Sequence, residues 1–366
     1  MLFVTRWFGV TATDAERNHA TEQAEIDEIV KIILGMQANA AAKAKQPLGR
    51  GTHVKGVCVR AEFEVLDVTA GRDPGLAARL ARGIYAKPGT YPATVRFANS
   101  VPDVFPDFKP DVRALSFAVD LLPGSPIPRQ DYSMQSATTL PMNDPPSFLA
   151  TLKVLAALSP AKAALSLPFR DKLRFSRTIA LAQLQAHQRV KPYQQLRYWS
   201  TVPFRHGPTD VVKYCATPRA DNPGHALDKT NPNALQDELI RHVTDDSAMS
   251  SFDFGLQFLD TEKMTYWGKR GDANFWIENA SIEWNEAQAP FHIVARLTLL
   301  PKSHLSPEAS GATYFDVTEN AMPDSKPVGS MNRARWPGEV ASRKARLSTG
   351  AARREAGSEV RSPVGT

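Results

Sequence analysis

Long apolar runs are missing from this 366-residue sequence, and cysteine is scarce. No run approaches the roughly 20 residues that a membrane-spanning helix needs. The first ten residues are too short, and too interrupted by Arg6, for a convincing secretory segment. Cys58 and Cys215 cannot make a disulfide framework, and neither lies in a C-x-x-C pair. We therefore expect a cytoplasmic protein with no membrane span.

The formal net charge is +6, and its distribution matters more than its size. Residues 343–366 hold six Lys or Arg and two Glu, a net charge of +4. The body is close to neutral on average and lacks a basic stripe interleaved with aromatic residues, so we expect no nucleic-acid partner. The composition of residues 347–366 predicts a disordered basic tail.

Hydrophobic periodicity predicts the order of secondary structure. Apolar residues at a spacing of three and four predict a helix within 20–40 and helical structure over 148–190. A period of two predicts strands; the predicted strand segments are 57–65, 94–100, 112–121, 252–258 and 291–299. Strands, then helices, then strands favour an α+β fold with an antiparallel sheet.

Several common catalytic motifs are absent, including a Walker A loop, H-E-x-x-H, G-x-S-x-G and G-x-G-x-x-G. The eight histidines are scattered. If the alternation of 57–65 is extended backwards, His53 falls on the core face at the beginning of a strand. A histidine in that position needs a partner inside the protein.

Four short segments together resemble the haem-dependent catalase superfamily, in its small-subunit, catalase-related branch. Arg50-Gly51-Thr52-His53-Val54-Lys55-Gly56 resembles the distal motif that opens the first barrel strand. The other three segments are 95–100 (VRFANS), 111–113 (DVR) and 142–148 (MNDPPSF). The resemblance implies a catalase-like antiparallel β-barrel with a helical section and N- and C-terminal helices. It divides the chain into a helical arm (1–45), a haem-binding domain (46–346) and the tail.

The resemblance also implies a function and a set of site residues. The cofactor would be haem b and the substrate hydrogen peroxide or an organic hydroperoxide. The implied roles are acid/base catalysis by His53, a hydrogen bond to peroxide from Asn143, packing of Phe148 on the porphyrin, and contacts of Arg50, Arg96 and Arg346 with the propionates. The family serine that supports the histidine falls on Ala98, and Asn99 or Ser100 are possible substitutes.

The proximal side departs from the family pattern. Residues 329–335 (GSMNRAR) resemble the approach to the family's iron-binding tyrosine, but that tyrosine position falls on Glu339, four residues after Arg335. Pro337 and Gly338 are expected to interrupt the helix. Either Glu339 is the axial ligand, or haem is held weakly or not at all. The alternative function is a degenerate catalase-like barrel, with a barrel cavity for an apolar ligand or a partner, and without redox activity. The oligomeric state stays open.

Overall fold

The protein is built around one antiparallel β-sheet. A computed structural model describes residues 20–45, 48–101, 104–245 and 249–348. The strands are β1 (Gly56–Val65), β2 (Gly89–Asn99), β3 (Arg113–Asp120), β4 (Arg129–Gln135), β5 (Tyr198–Trp199), β6 (Phe204–His206), β7 (Asp210–Pro218), β8 (Ser251–Phe258), β9 (Thr265–Tyr266), β10 (Lys269–Arg270) and β11 (Phe291–His304).

The sheet closes into an eight-stranded barrel. Its hydrogen-bonded order is β5-β4-β3-β2-β1-β11-β8-β7-β6, and β5 also pairs with β7, which closes the ring with β6 outside it. β9 and β10 form a separate two-stranded sheet. The α+β class and the antiparallel barrel are thus confirmed.

Aromatic side chains fill the barrel interior. The alternating residues of β1 from Val57 to Val65 point inwards, as the period of two predicts. Phe63 lies 5.7 Å from Phe117 and 5.5 Å from Phe254 between ring centroids, and Phe117 stacks on Tyr132 at 4.6 Å. The interior is therefore a packed core, unlike the barrel cavity that the alternative function predicted.

The described part of the chain also forms nine α-helices. They are α1 (Glu22–Ala44), α2 (Pro74–Leu80), α3 (Pro145–Leu155), α4 (Pro160–Ser166), α5 (Phe169–Ala186), α6 (Ala234–Asp245), α7 (Ala273–Glu278), α8 (Pro307–Ala312) and α9 (Ser330–Ser348). None of the described helices is long and apolar enough to cross a membrane. Most of the predicted tail lies outside the described residues, and 347 and 348 belong to the last turn of α9.

The helix α9 is continuous, so the expected interruption at Pro337 and Gly338 is wrong. Tertiary packing stabilises it: α1, α3 and α9 form an apolar cluster that includes Ile29 and Ala334. A Cβ atom at position 338 would lie 3.0 Å from the Cδ1 atom of Ile33, so glycine lets α1 approach closely. This packing outweighs the poor helix propensity of the Pro-Gly pair.

Candidate haem site on the outer wall of the barrel

His53 lies in the loop before β1, on the outer side of the barrel wall. The strand begins at Gly56, where β1 passes so close to the Phe97 carbonyl that a side chain would not fit. His53 has a left-handed backbone with φ 54° and is half-buried. The strand alternation therefore does not extend to His53, and the prediction that places His53 at the beginning of a strand is wrong. Backbone strain of this kind is retained where the surroundings fix it.

The imidazole of His53 is held in one tautomer by the backbone. Its Nδ1 atom lies 3.1 Å from the carbonyl oxygen of Asn99. A carbonyl only accepts, so Nδ1 carries the proton and Nε2 keeps its lone pair. Burial, and then the positive charge of Arg96, lower the pKa of His53 to about 4. The ring is therefore neutral at pH 7 and can accept a proton at Nε2.

A buried polar network fixes the backbone on both sides of His53. The Asn99 amide donates to Asp107 at 2.9 Å and accepts from the Tyr193 hydroxyl at 3.0 Å. Asp107 also pairs with Lys55 at 2.6 Å, with both side chains at most 4% exposed. Each of these charges has its opposite at hydrogen-bonding distance, which the burial of charged groups requires.

Three arginines converge beside this loop. Arg96 lies opposite Cys58 on β1 and β2, on the face that points away from the core, and donates to the His53 carbonyl at 2.7 Å. Arg50 and Arg346 both donate to the carbonyl of Gly311, at 3.4 and 2.5 Å.

Arg50, Arg96 and Arg346 form a cationic cluster, and burial disfavours its positive charge. Burial, and then the charges of Arg96 and Arg346, lower the pKa of Arg50 to about 9. Arg96 is 5% exposed, and its buried Nε atom has no hydrogen-bond partner in the part of the chain that the structure describes. Within the described residues, Arg50 and Arg96 donate only to backbone carbonyls. The cluster can therefore bind an anion.

The helix α9 lies beside the same loop. A Cβ atom at position 51 would lie 3.2 Å from the Oγ atom of Ser342, so the loop before β1 packs against α9. Arg335 donates to Glu339 at 3.1 Å, and its charge also contributes to lowering the pKa of His53.

Glu339 has 45% of its side chain accessible, yet burial is the largest cause of the rise in its pKa. The described residues contain no cluster of three or more His, Cys, Asp or Glu that could hold a free metal ion.

The fourth segment lies at the start of α3. Asn143 donates to Asn279 at 2.8 Å and accepts from the Ser281 hydroxyl at 2.6 Å. Within the described residues no hydrogen bond joins Asn143 to His53. Phe148 is half-buried and packs on both the barrel core and the cluster of α1, α3 and α9.

Comparison with known proteins gives structural matches only. No family model and no curated protein matches the sequence. A fungal catalase matches with a TM-score of 0.63 at 13% identity, and catalase A from Saccharomyces cerevisiae matches with 0.62 at 15%. Both matches cover 86% of this chain and 64% of the catalase. A bacterial catalase matches with 0.55 at 14%, covering 90% of this chain and 62% of that one.

The chain has the catalase fold. It spans less than two thirds of the length of each of these catalases. The sequence indicates the arginines and the histidine of the candidate site, and it offers Asn99 or Ser100 as support for the histidine. The supporting atom is the backbone carbonyl of Asn99, and Asp107, which lies in no recognised segment, holds the Asn99 side chain.

Proposed function

We propose that the chain binds haem b between the outer wall of the barrel and α9, and metabolises hydrogen peroxide or an organic hydroperoxide. The observation that carries the proposal is His53, held neutral with the lone pair of Nε2 available, beside the cluster of Arg50, Arg96 and Arg346. A neutral base next to a buried cationic cluster suits a site that takes an anionic cofactor and moves a proton.

The arginines fit the propionate groups of haem. The buried Nε atom of Arg96 has no partner among the described residues, and a carboxylate would supply one while offsetting the charge of Arg50. When bound, haem would supply the redox chemistry. Phe148, at the junction of the barrel core and the helix cluster, would pack on the porphyrin.

The residues of the chain would handle the proton. His53 would accept the proton of the hydroperoxide O–H at Nε2 and return it to the leaving oxygen. The Asn99 carbonyl would hold the ring in this tautomer and accept a stronger bond from Nδ1–H while the ring is protonated. Asn143 has both ends of its amide engaged, so its proposed hydrogen bond to peroxide would require a change of partners.

Glu339 is the proposed iron-facing residue on the proximal side. Its carboxylate is an oxygen ligand, and Arg335 would stabilise its anionic form as it would a phenolate. The existing pair with Arg335 also favours a second candidate, a protein of the catalase fold that binds an anionic or apolar ligand without redox activity. Such a ligand would bind at the outer wall, because the barrel interior is packed.

Haem titration followed by absorption spectroscopy separates the two candidates. We expect a Soret band on reconstitution. Arg50→Ala should weaken haem affinity by about 10- to 100-fold, since it removes a charged partner of a buried anion. The matched control is Arg60→Ala on β1, because Arg60 is exposed and bonds Thr94. No Soret band after reconstitution would remove the enzyme hypothesis and leave the second candidate.

A further inference from the structure

The helices α3, α4 and α5 expose an apolar surface. We call it the α3–α5 surface and define it by six side chains that are 53% to 108% exposed: Leu155, Leu158, Leu165, Phe169, Leu173 and Leu184. They are half of the large apolar side chains that the described part of the chain exposes. In the same region α4 has no buried residue and α5 has one, Thr178. A concentration of this kind marks an interaction site.

The six side chains belong to one continuous face. Phe169, Leu173 and Leu184 follow the spacing of a single side of α5, and Thr178 lies on the opposite side. The three helices contact one another, and Leu158 lies in the turn that joins α3 to α4. Leu158 and Leu184 fit the helical spacing of apolar residues over 148–190. Neither is in the core, because no element of the described chain covers them.

Positive charge surrounds this face. Residues 153–191 contain eight Lys or Arg and one acidic residue, Asp171, for a net charge of +7. Arg174 pairs with Asp171, and Lys153 pairs with Glu28 of α1. The exposed cations include Lys162, Arg170 and Arg177. Positive charge is therefore concentrated in residues 153–191, although residues 1–342 together are close to neutral.

Exposed apolar side chains surrounded by cations favour some binding partners over others. A symmetric dimer through this face would place the same basic patch against itself, and like charges repel. A lipid bilayer with anionic headgroups satisfies both features, because leucine and phenylalanine enter the acyl boundary while lysine and arginine meet the phosphates. We propose that the α3–α5 surface binds peripherally to an anionic lipid bilayer.

This binding is independent of haem and is measured without it. The full chain is floated with vesicles of phosphatidylcholine alone or of an equimolar mixture of phosphatidylcholine and phosphatidylglycerol. We expect binding to the anionic vesicles, weaker binding to the neutral ones, and a loss of binding as salt is added.

Two sets of variants test the two parts of the surface. Leu158→Ser, Leu165→Ser and Phe169→Ser combined should lower partitioning by about tenfold or more, since three apolar tips are lost. Lys162→Glu, Arg170→Glu and Arg177→Glu combined should abolish the preference for anionic vesicles. All six positions are exposed, so the fold is retained, and circular dichroism checks this.

The matched control changes three exposed apolar residues elsewhere: Val104→Ser, Leu122→Ser and Trp267→Ser, which are 60% to 87% exposed. It should bind as the unmodified chain does. Equal losses in the control and the apolar variant would overturn the proposal, as would no binding of the unmodified chain to anionic vesicles. Self-association in sedimentation that the apolar variant abolishes, without vesicle binding, would assign the face to a second copy instead.

Discussion

The two sides of the proposed haem site are fixed to different degrees. On the distal side, His53 is held by a carbonyl, its loop is held by Arg96, and the neighbouring Lys55 and Asn99 are tied to one buried carboxylate. On the proximal side, Glu339 has one partner in the described chain, Arg335. A half-exposed pair of this kind on a helix stabilises by only about 0.3–0.5 kcal/mol. The distal side is thus preorganised, whereas the proximal side can change at little cost.

Replacing the distal base should have the largest effect. His53→Asn keeps a residue that tolerates the left-handed backbone but removes the base. We expect hydroperoxide turnover by the haem-loaded protein to fall by about 10²- to 10⁴-fold, with the Soret band retained. His187→Asn on the exposed end of α5 is the control. Unchanged turnover in His53→Asn would mean that another group moves the proton.

Replacing the proximal residue should change haem affinity by less. We expect haem affinity to be highest in Glu339→Tyr, about tenfold lower in the unmodified chain, and about tenfold lower again in Glu339→Ala. The reason is that the phenolate and the carboxylate are both anionic ligands beside Arg335. Titration of the Soret band measures this order. Lys344→Ala, exposed on the same helix, should leave affinity unchanged. Equal affinity in all three proteins would show that position 339 does not touch iron.

The pKa of His53 sets a pH window for stability. Between pH about 6.5 and about 4 the unfolded chain protonates this residue and the folded chain does not, so the free energy of unfolding falls as the pH falls. Below pH about 4 both states are protonated, and the stability that neutral His53 contributes at higher pH is fully lost. His53→Asn should flatten the slope in that window by up to about 1.4 kcal/mol per pH unit. Urea unfolding at several pH values measures it, and an unchanged slope would contradict the lowered pKa.

The smallest effect is expected at Asn143. Because Asn279 and Ser281 occupy its amide, Asn143→Ala should lower the free energy of unfolding by about 1–2 kcal/mol and change turnover by less than about tenfold. A double-mutant cycle with Asn279→Ala should show coupling between the two positions. A loss of turnover as large as that of His53→Asn would instead restore Asn143 as a catalytic residue.

Sequence periodicity predicted five of the barrel strands, because apolar and polar residues alternate along part of β1, β2, β3, β8 and β11. It missed β7, in which six successive residues from Val211 to Ala216 are buried and no alternation remains. It also missed β4, whose outer face is covered: Asp131 accepts from Arg129 and from Asn320. Burial on both faces removes the pattern on which a strand prediction depends.

The same limit applies to the site. The arginines and His53 were predicted because they lie in or near short segments that resemble the family's motifs. The bond that orients His53 is made by a main-chain atom, and the alternation of β1 did not predict the turn at 51–55. That turn depends on contacts of Lys55 with Asp107, 52 positions away.

The carbonyl of Asn99 is present whichever residue occupies position 99. Mutations at positions 98 and 100 can therefore accumulate without removing the acceptor, provided that the Asn99 side chain still holds the strand in place through Asp107 and Tyr193. Alanine at position 98 need not imply loss of the histidine's orientation. A support made by the main chain is invisible to sequence alignment, and a chain of this fold can keep it without keeping a recognisable residue.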